Sequence, residues 1–245
     1  MSISEKEIQK SYAKALKTAK TPEKSSTCCD STCDCSSTQT ISEKTNQQIS
    51  FGCILLKPIL EHEIKEGMTV IDFGSGPGHD LFIAAQLVGS EGFAIGVDFT
   101  EAMIVEAYEQ AQRRRLYNIK LVKASIQDTG LPDEIADIII SNCVINLAIN
   151  KKQVFQEAFR LLKQGGILID ADVIAQAPLP EEMKQDNELW CSCIGGALTE
   201  DEHTKMLEEV GFKEIRIEFG DKSNVIFDKK ELGIYSGIIW ATKPL

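Results

Sequence analysis

The sequence has little histidine and little positive charge. Only three histidines occur among 245 residues (His62, His79 and His203), and no pairing of one of them with a carboxylate for general-base catalysis is evident. Lys and Arg number 26 against 37 Asp and Glu, which gives a net charge of −11. Because phosphate backbones repel a chain of this charge, nucleic acid is not an expected partner.

Long apolar runs are also missing. No run approaches the roughly 20 residues of a transmembrane helix, and the N-terminus MSISEKEIQKSYAK is polar where a secretion signal would be apolar. The sequence therefore predicts a soluble, cytoplasmic protein without a membrane partner.

Cysteine, by contrast, is plentiful, with eight residues in the chain. A reducing compartment disfavours structural disulfides, so ligation of a metal or metalloid, or redox chemistry, is the leading explanation. The alternative is that individual cysteines serve as small buried apolar residues.

The composition divides the chain into three parts. Residues 3–19 have helical character, with Ile8 and Tyr12 on one side, and residues 21–48 are rich in Ser and Thr with almost no large apolar side chains. We therefore predict a mobile, thiol-rich N-terminal tail with a short helix over residues 1–48. A globular domain is predicted for residues 49–175, and residues 176–245 are predicted to complete it.

From residue 49 onward, strand-like and helix-like segments alternate. The predicted strands are 69–74, 93–98, 119–124, 135–141 and 165–173, then 213–219 and 235–242; the predicted helices are 78–88, 100–115, 151–163 and 200–210. Near-continuous apolar strands in this alternation predict an α/β, Rossmann-like, doubly wound sheet that is mostly parallel. The last two strands have no helix between them and predict a C-terminal antiparallel hairpin. Glu157, Arg160 and Lys163 are predicted to form a solvated face.

A glycine-rich loop follows the first strand, in the run DFGSGPGHD (72–80). Glycines let a backbone turn tightly and approach a ligand, and Asp98 ends the next strand where a carboxylate can accept hydrogen bonds from a ribose diol. His79 occupies the place of the third glycine of the dinucleotide fingerprint, so a nucleoside without a pyrophosphate is the expected ligand. The structural alternative is a plain turn, with Asp98 capping the helix that begins at Thr100.

The loop resembles the S-adenosylmethionine loop of class I methyltransferases. The resemblance implies that Asp72 and the glycines contact the methionine part, that Asp98 holds the ribose, and that the run SIQDTGLP (125–132) brackets the adenine. Asn142 is expected to point toward the cofactor. The predicted cofactor residues are Asp72, Gly74, Gly76, Gly78, Asp98, Phe99, Ile126, Gln127 and Asn142.

Three cysteine motifs extend the resemblance: SFGC (50–53), ISNCVINL (140–147) and LWCSCIGGAL (189–198). Together they resemble arsenite methyltransferases, in which three thiolates hold trivalent arsenic. The resemblance implies that these are Cys53, Cys143 and Cys193, and that residues 176–245 close the arsenic site. Cys191 stands where no cysteine is expected, and His79 and Gln127 replace the expected arginine and acidic residue.

Thiolate chemistry agrees with this assignment. Soft thiolates suit a soft, thiophilic centre, and three of them leave the arsenic lone pair free to take a methyl group without a general base. The expected partners are arsenite or its thiol conjugates, with glutathione or a thioredoxin-like reductant. Further thiols are Cys28, Cys29, Cys33, Cys35 and Cys191, of which the first four either deliver arsenite, take part in reduction or have no role.

Two other functions remain open from the sequence. A carbon methyltransferase acting on a quinone or sterol precursor would share the cofactor loop but gives no reason for the three cysteines. A non-catalytic protein that binds metalloids would explain the cysteines but not the glycine loop with Asp98.

Overall fold

A computed structural model describes residues 4–19, 54–227 and 230–245 of the chain. Its helices are α1 (Glu5–Ala19), α2 (Lys57–Glu63), α3 (His79–Leu87), α4 (Glu101–Arg114), α5 (Lys151–Leu161), α6 (Glu181–Lys184), α7 (Asn187–Cys191) and α8 (Glu200–Val210). Its strands are β1 (Thr69–Phe73), β2 (Phe93–Asp98), β3 (Ile119–Lys123), β4 (Ala136–Asn142), β5 (Leu162–Ala175), β6 (Leu198–Thr199), β7 (Lys213–Phe227) and β8 (Lys230–Thr242).

One sheet runs through the molecule in the order β3-β2-β1-β4-β5-β8-β7, with β6 paired to the end of β5. Strands β1 to β6 pair in parallel, whereas β8 lies antiparallel to both β5 and β7. The predicted fold class, a mostly parallel doubly wound sheet with an antiparallel C-terminal hairpin, is confirmed.

The central strands are apolar because helices cover both of their faces. Neighbouring side chains of β4 therefore face opposite sides of the sheet. Ile139 packs in one core with α5 and α8, and Ile138 and Ile140 pack in another with α2 and α3. Parallel sheets of this kind leave the carboxyl ends of their strands at one edge, where loops can form a binding site.

Several predictions of the sequence lie outside the described residues. These are the structure of the cysteine-bearing part of the tail, with Cys28, Cys29, Cys33 and Cys35, and the position of Cys53. Within the described residues, no helix is both long and apolar enough to cross a membrane.

Candidate functional site

A cavity opens at the carboxyl ends of β1, β2 and β4. It encloses about 410 Å³ including its mouth and is lined by Ile8, Gly74, Asp98, Phe99, Ser125, Ile126, Gln127, Val144, Leu147 and Ala148. Five of the residues predicted to bind the cofactor thus meet at one place, although they come from separate segments of the chain. The walls are mostly apolar with a few polar groups, which is typical of small-molecule sites.

The glycine loop has the backbone that its sequence predicts. Gly74, Gly76 and Gly78 have φ angles of 69°, 51° and 100°, in the left-handed region that favours glycine. A methyl group added at Gly74 would lie 2.7 Å from Cβ of Val144 and 2.9 Å from its Cγ1. The loop after β1 therefore touches the segment that follows Cys143, and the cradle between them has no room for a side chain.

Asp98 is buried at the tip of β2 and accepts two main-chain hydrogen bonds. Gly76 N–H donates to Oδ2 at 3.1 Å and Thr100 N–H to Oδ1 at 2.7 Å. Burial raises the pKa of Asp98, and these N–H donors oppose the rise. The carboxylate does hold the start of the Thr100 helix, as the structural alternative predicts, but each oxygen can accept a further bond from a ribose hydroxyl.

Other predicted cofactor residues have roles in the surrounding structure. Asp72 is buried beneath the loop, where burial and the charges of Asp80 and Asp98 raise its pKa well above the usual value. The side chain of Gln127 accepts a hydrogen bond at 3.1 Å from the N–H of Asn150, which precedes α5. Of these two residues, Gln127 is among those that line the cavity and Asp72 is not.

Cys143 and Cys193 lie together beside this cavity. The Cys193 thiol donates to the carbonyl oxygen of Cys143 at 3.0 Å and is also hydrogen-bonded to the Cys143 thiol. Both residues have left-handed backbones, with φ angles of 56° and 65°. Such angles are uncommon for residues with a side chain and often mark functional sites, so the two thiols are held at positions that the backbone alone disfavours.

One contact fixes Cys143 to the sheet, and contacts of Trp190 and Gly196 bring the two cysteine segments together. The N–H of Cys143 donates to the carbonyl oxygen of Ala171 on β5 at 2.8 Å, which ties the end of β4 to the sheet. The indole N–H of Trp190 donates to the carbonyl oxygen of Leu147 at 3.0 Å. A side chain at Gly196 would overlap the carbonyl of Asn146, so the run C-I-G-G passes directly against the segment after Cys143.

The environment of Cys143 favours the protonated form of its thiol. The hydrogen bond with the Cys193 thiol and burial raise the pKa of Cys143 well above its usual value, and the charges of Asp172 and Asp170 add to the effect. A buried cation, Lys151, lies 4.8 Å above the ring of Trp190, and burial lowers its pKa to about 8. A thiol in this state needs a thiophilic ligand to replace its proton.

Helix α1 covers the site, which the sequence did not predict. Ile8 is buried and lines the cavity, Gln9 Nε2 donates to the carbonyl oxygen of Phe99 at 3.2 Å, and the hydroxyl of Tyr12 donates to the carbonyl oxygen of Cys191 at 3.3 Å. The spacing of Ile8 and Tyr12 on one helix face was the available signal. It indicated a packed face but not its partner.

Asn142 and Cys53 complete the account of the predicted residues. The side-chain amide of Asn142 donates to Oδ2 of Asp80 at 2.8 Å and to the carbonyl oxygen of Ile54 at 2.9 Å. Cys53 lies outside the described residues, and among those described no group of three or more His, Cys, Asp or Glu side chains is arranged to hold a metal ion. The structure thus shows two of the three predicted thiols together.

Comparisons with known proteins agree with this geometry. Residues 64–211 match the family model described as a methyltransferase domain. The chain is 39% identical over 184 residues to an arsenite methyltransferase of Halobacterium salinarum, covering 73% of this chain and 47% of the relative. It is 35% identical over 220 residues to one of Aquipseudomonas alcaligenes, covering 86% and 62%. The chain therefore spans roughly half to three fifths of the length of these curated relatives.

A solved structure with a similar fold also carries the name of an arsenic methyltransferase. An arsenic (III) S-adenosylmethionine methyltransferase from Chlamydomonas reinhardtii superposes with a TM-score of 0.62 at 30% identity, covering 72% of this chain and 63% of that chain. The predicted resemblance and the predicted class of cofactor, S-adenosylmethionine, are confirmed. The two curated relatives described above are arsenite methyltransferases, and the chain belongs to the methyltransferase-domain family.

Proposed function

We propose that this protein transfers a methyl group from S-adenosylmethionine to trivalent arsenic held by the thiolates of Cys53, Cys143 and Cys193. The observation that carries the proposal is that Cys193 lies against Cys143 beside the cavity, although 50 residues separate them: the Cys193 thiol donates to the carbonyl oxygen of Cys143 at 3.0 Å. The names of the relatives support arsenic as the acceptor.

Different residues of the chain form the cofactor side and the acceptor side of the proposed site. Gly74, Gly76, Gly78 and Asp98 shape the cofactor side of the cavity, with Phe99 and Ile126 as its walls. Val144 connects this side to Cys143, so the thiols are held close to the cofactor pocket. Such positioning can lower a reaction barrier by several kcal/mol.

The proposed chemistry needs no general base. The bound cofactor supplies an electrophilic methyl group on a sulfonium. The arsenic lone pair forms the new As–C bond while the sulfonium C–S bond breaks and its electron pair stays on sulfur, so no proton moves. Arsenic is oxidised from the trivalent to the pentavalent state. Two thiolates then give it two electrons and join as a disulfide, which returns arsenic to the trivalent state.

This balance defines the partners that we propose. Arsenite, free or as a thiol conjugate, is the acceptor, and glutathione or a thioredoxin-like protein reduces the disulfide. The proposed role of Cys28, Cys29, Cys33 and Cys35 is to capture arsenite or to take part in this reduction. Cys191, whose thiol accepts a hydrogen bond from Ser11 of α1, is a further candidate for the redox step.

The test is an incubation of purified protein with S-adenosylmethionine, glutathione and arsenite, followed by arsenic speciation of the products. Cys143→Ser and Cys193→Ser should each lower methylation by at least about 100-fold, since loss of a metal ligand exceeds the effect of a mutated supporting residue. Calorimetry should show that both variants still bind the cofactor. A Cys143→Ser protein that methylates arsenite at the normal rate would refute the proposal.

A further inference from the structure

One short turn of the chain contacts both the cofactor cavity and the segment that carries Cys193. It is a single 3₁₀ turn, Ile145–Leu147, which begins two residues after Cys143. Leu147 and the next residue, Ala148, line the cavity. The main-chain carbonyl of Leu147 accepts the hydrogen bond from the indole of Trp190 at 3.0 Å. A movement of this turn therefore changes the cavity wall and the contact with Trp190 together.

Trp190 is itself tied to the thiol pair. The N–H of Cys193 donates to the carbonyl oxygen of Trp190 at 3.0 Å, in the tight segment at the end of α7. The Cys193 thiol in turn donates to the carbonyl oxygen of Cys143 at 3.0 Å. These contacts close a ring, from Cys143 through the turn to Trp190, then to Cys193 and back to Cys143.

Other groups fix the turn to the rest of the molecule. Asn146, inside the turn, donates from its main chain to Oδ2 of Asp172 on β5 at 2.9 Å and from its side chain to Oδ1 at 2.8 Å. The ammonium of Lys151 donates to the carbonyl oxygen of Ala148 at 3.0 Å and lies 4.8 Å above the indole ring. The turn is thus anchored to the sheet at Asn146, and the indole gives the Cys193 segment a directed contact with its last residue.

We propose that Trp190 is a positioning residue that couples the two sides of the site: a trivalent arsenical held by Cys143 and Cys193 orders the turn through the indole and so strengthens binding of the cofactor. The inference rests on the proposed function, since it needs an arsenical on this pair of thiols. When one ligand has already ordered a segment, the next ligand no longer loses that conformational entropy and binds more tightly. By linkage, the cofactor strengthens binding of the arsenical by the same factor.

The affinity for one ligand in the presence of the other measures this coupling. S-adenosylhomocysteine, the demethylated form of the cofactor, binds without reacting, and phenylarsonous acid carries one phenyl group and takes two thiolates. The full chain is used with only Cys143 and Cys193 left as thiols, that is, with C28S, C29S, C33S, C35S, C53S and C191S. In calorimetry, saturating phenylarsonous acid should lower the Kd of S-adenosylhomocysteine by about fivefold or more, as couplings between two sites commonly do. An unchanged Kd would overturn the inference.

Trp190→Phe keeps an aromatic ring and removes the indole N–H. Phenylarsonous acid should still bind this variant because both thiols remain. It should change the Kd of S-adenosylhomocysteine by less than about twofold, since the turn no longer receives the hydrogen bond from the Cys193 segment. A Trp190→Phe protein with the full coupling of its parent would show that the indole has no such role.

Trp240 on β8 offers a matched control. Its ring also lies against a cation, the guanidinium of Arg216 at 3.9 Å, but its indole nitrogen is buried without a hydrogen-bond partner among the described residues. Trp240→Phe therefore removes the same atoms as Trp190→Phe without removing a hydrogen bond, and the coupling should equal that of the parent. Equal losses of coupling in the two variants would mean that aromatic bulk, and not the bond to Leu147, is responsible, and the inference would be wrong.

Hydrogen exchange tests the turn directly and needs no variant. The N–H groups of Leu147 and Ala148 donate to the carbonyls of Val144 and Ile145, both at 3.0 Å. Phenylarsonous acid alone should slow the exchange of these two amides in the parent by about fivefold, because it suppresses opening of the turn. In Trp190→Phe the rates should not change. Unchanged exchange in the parent would overturn the inference, whether or not the variant folds.

Two outcomes separate this inference from the proposed function. If Cys143→Ser in the same background binds phenylarsonous acid as tightly as the parent, the thiol pair is not the arsenic site and the proposed function is overturned. If binding needs both thiols and Trp190→Phe still couples the two ligands as the parent does, only the role of Trp190 is overturned.

Discussion

The contact between Gly74 and Val144 can be tested by adding a single methyl group. Gly74→Ala would place that group 2.7 Å from Cβ of Val144, at a backbone φ of +69°. Gly130 has nearly the same φ, +66°, but no heavy atom of the described residues, apart from its chain neighbours, lies within 4 Å of the corresponding position. The pair Gly74→Ala and Gly130→Ala therefore separates backbone strain from the close approach.

The two effects can be estimated separately. A left-handed backbone destabilises a residue with a Cβ by about 1–2 kcal/mol, and both variants incur this loss. Forcing an extra carbon against a packed side chain adds about 1–3 kcal/mol, which applies to Gly74→Ala alone. Gly130→Ala should thus lower the free energy of unfolding by about 1–2 kcal/mol and Gly74→Ala by about 2–5 kcal/mol.

Urea denaturation gives the free energies of unfolding, and calorimetry gives the affinity for S-adenosylmethionine. Gly74→Ala should weaken cofactor binding, because relief of the clash moves Val144 or the loop. In Gly74→Ala/Val144→Gly the side-chain atoms that the added methyl group meets are gone, so the combined loss of stability should be smaller than the sum of the single losses by about 1 kcal/mol. If Gly74→Ala is no less stable than Gly130→Ala, the loop and the Cys143 segment do not touch as described.

Two further predictions concern buried polar groups. Burial lowers the pKa of His203 to about 4. Its neutral ring therefore contributes stability that is full above pH 6.5, the unperturbed value, and is lost as the pH falls toward 4. Relative to His203→Gln, the natural protein should lose up to about 3 kcal/mol over this range in denaturation curves, and parallel pH profiles would contradict this. Tyr12→Phe removes the hydrogen bond to Cys191, worth about 1 kcal/mol, so amide hydrogens of α1 should exchange about fivefold faster. Tyr108→Phe, at a side chain that is 59% exposed, should leave exchange unchanged, and equal rates in both variants would argue against docking of α1 through Tyr12.

The main elements of the sheet could be predicted because apolar runs and turn residues alternate clearly. The run FAIGVD became β2 with the predicted ends. Strand β7 extends to Phe227, although the prediction ended it at residue 219, directly before Gly220 and Asp221. The structure instead has a register shift between Phe219 and Lys222, which accommodates those residues within one strand.

Short helices and long-range polar contacts escaped prediction. Helices α6 and α7 contain four and five residues, too few for a helical apolar pattern. The predicted solvated face was wrong for Glu157, which is buried and accepts hydrogen bonds from the hydroxyl of Thr129 at 2.6 Å and from Arg160 at 2.7 Å. Its partner Thr129 is 28 residues away, and the sequence gives no sign of that proximity.

In the candidate site, too, some features could be predicted from the sequence and others could not. The positions of the glycine loop and Asp98 were predictable because they follow from the order of one strand–helix–strand unit. The proximity of Cys143 and Cys193 was implied only by the family resemblance, since 50 residues separate them. The bridge from Asn142 to Ile54 could not be predicted, because an amide has many possible partners and only the folded chain selects one.

The left-handed backbones of Cys143 and Cys193 bear on how such a site can be lost. Glycine adopts these angles freely, whereas a residue with a side chain incurs a conformational penalty at each position. A change of either cysteine to glycine would therefore relax the main chain and remove a sulfur in a single step. Cys143→Gly and Cys193→Gly proteins should consequently have a less strained backbone than the parent, although each has lost a thiol.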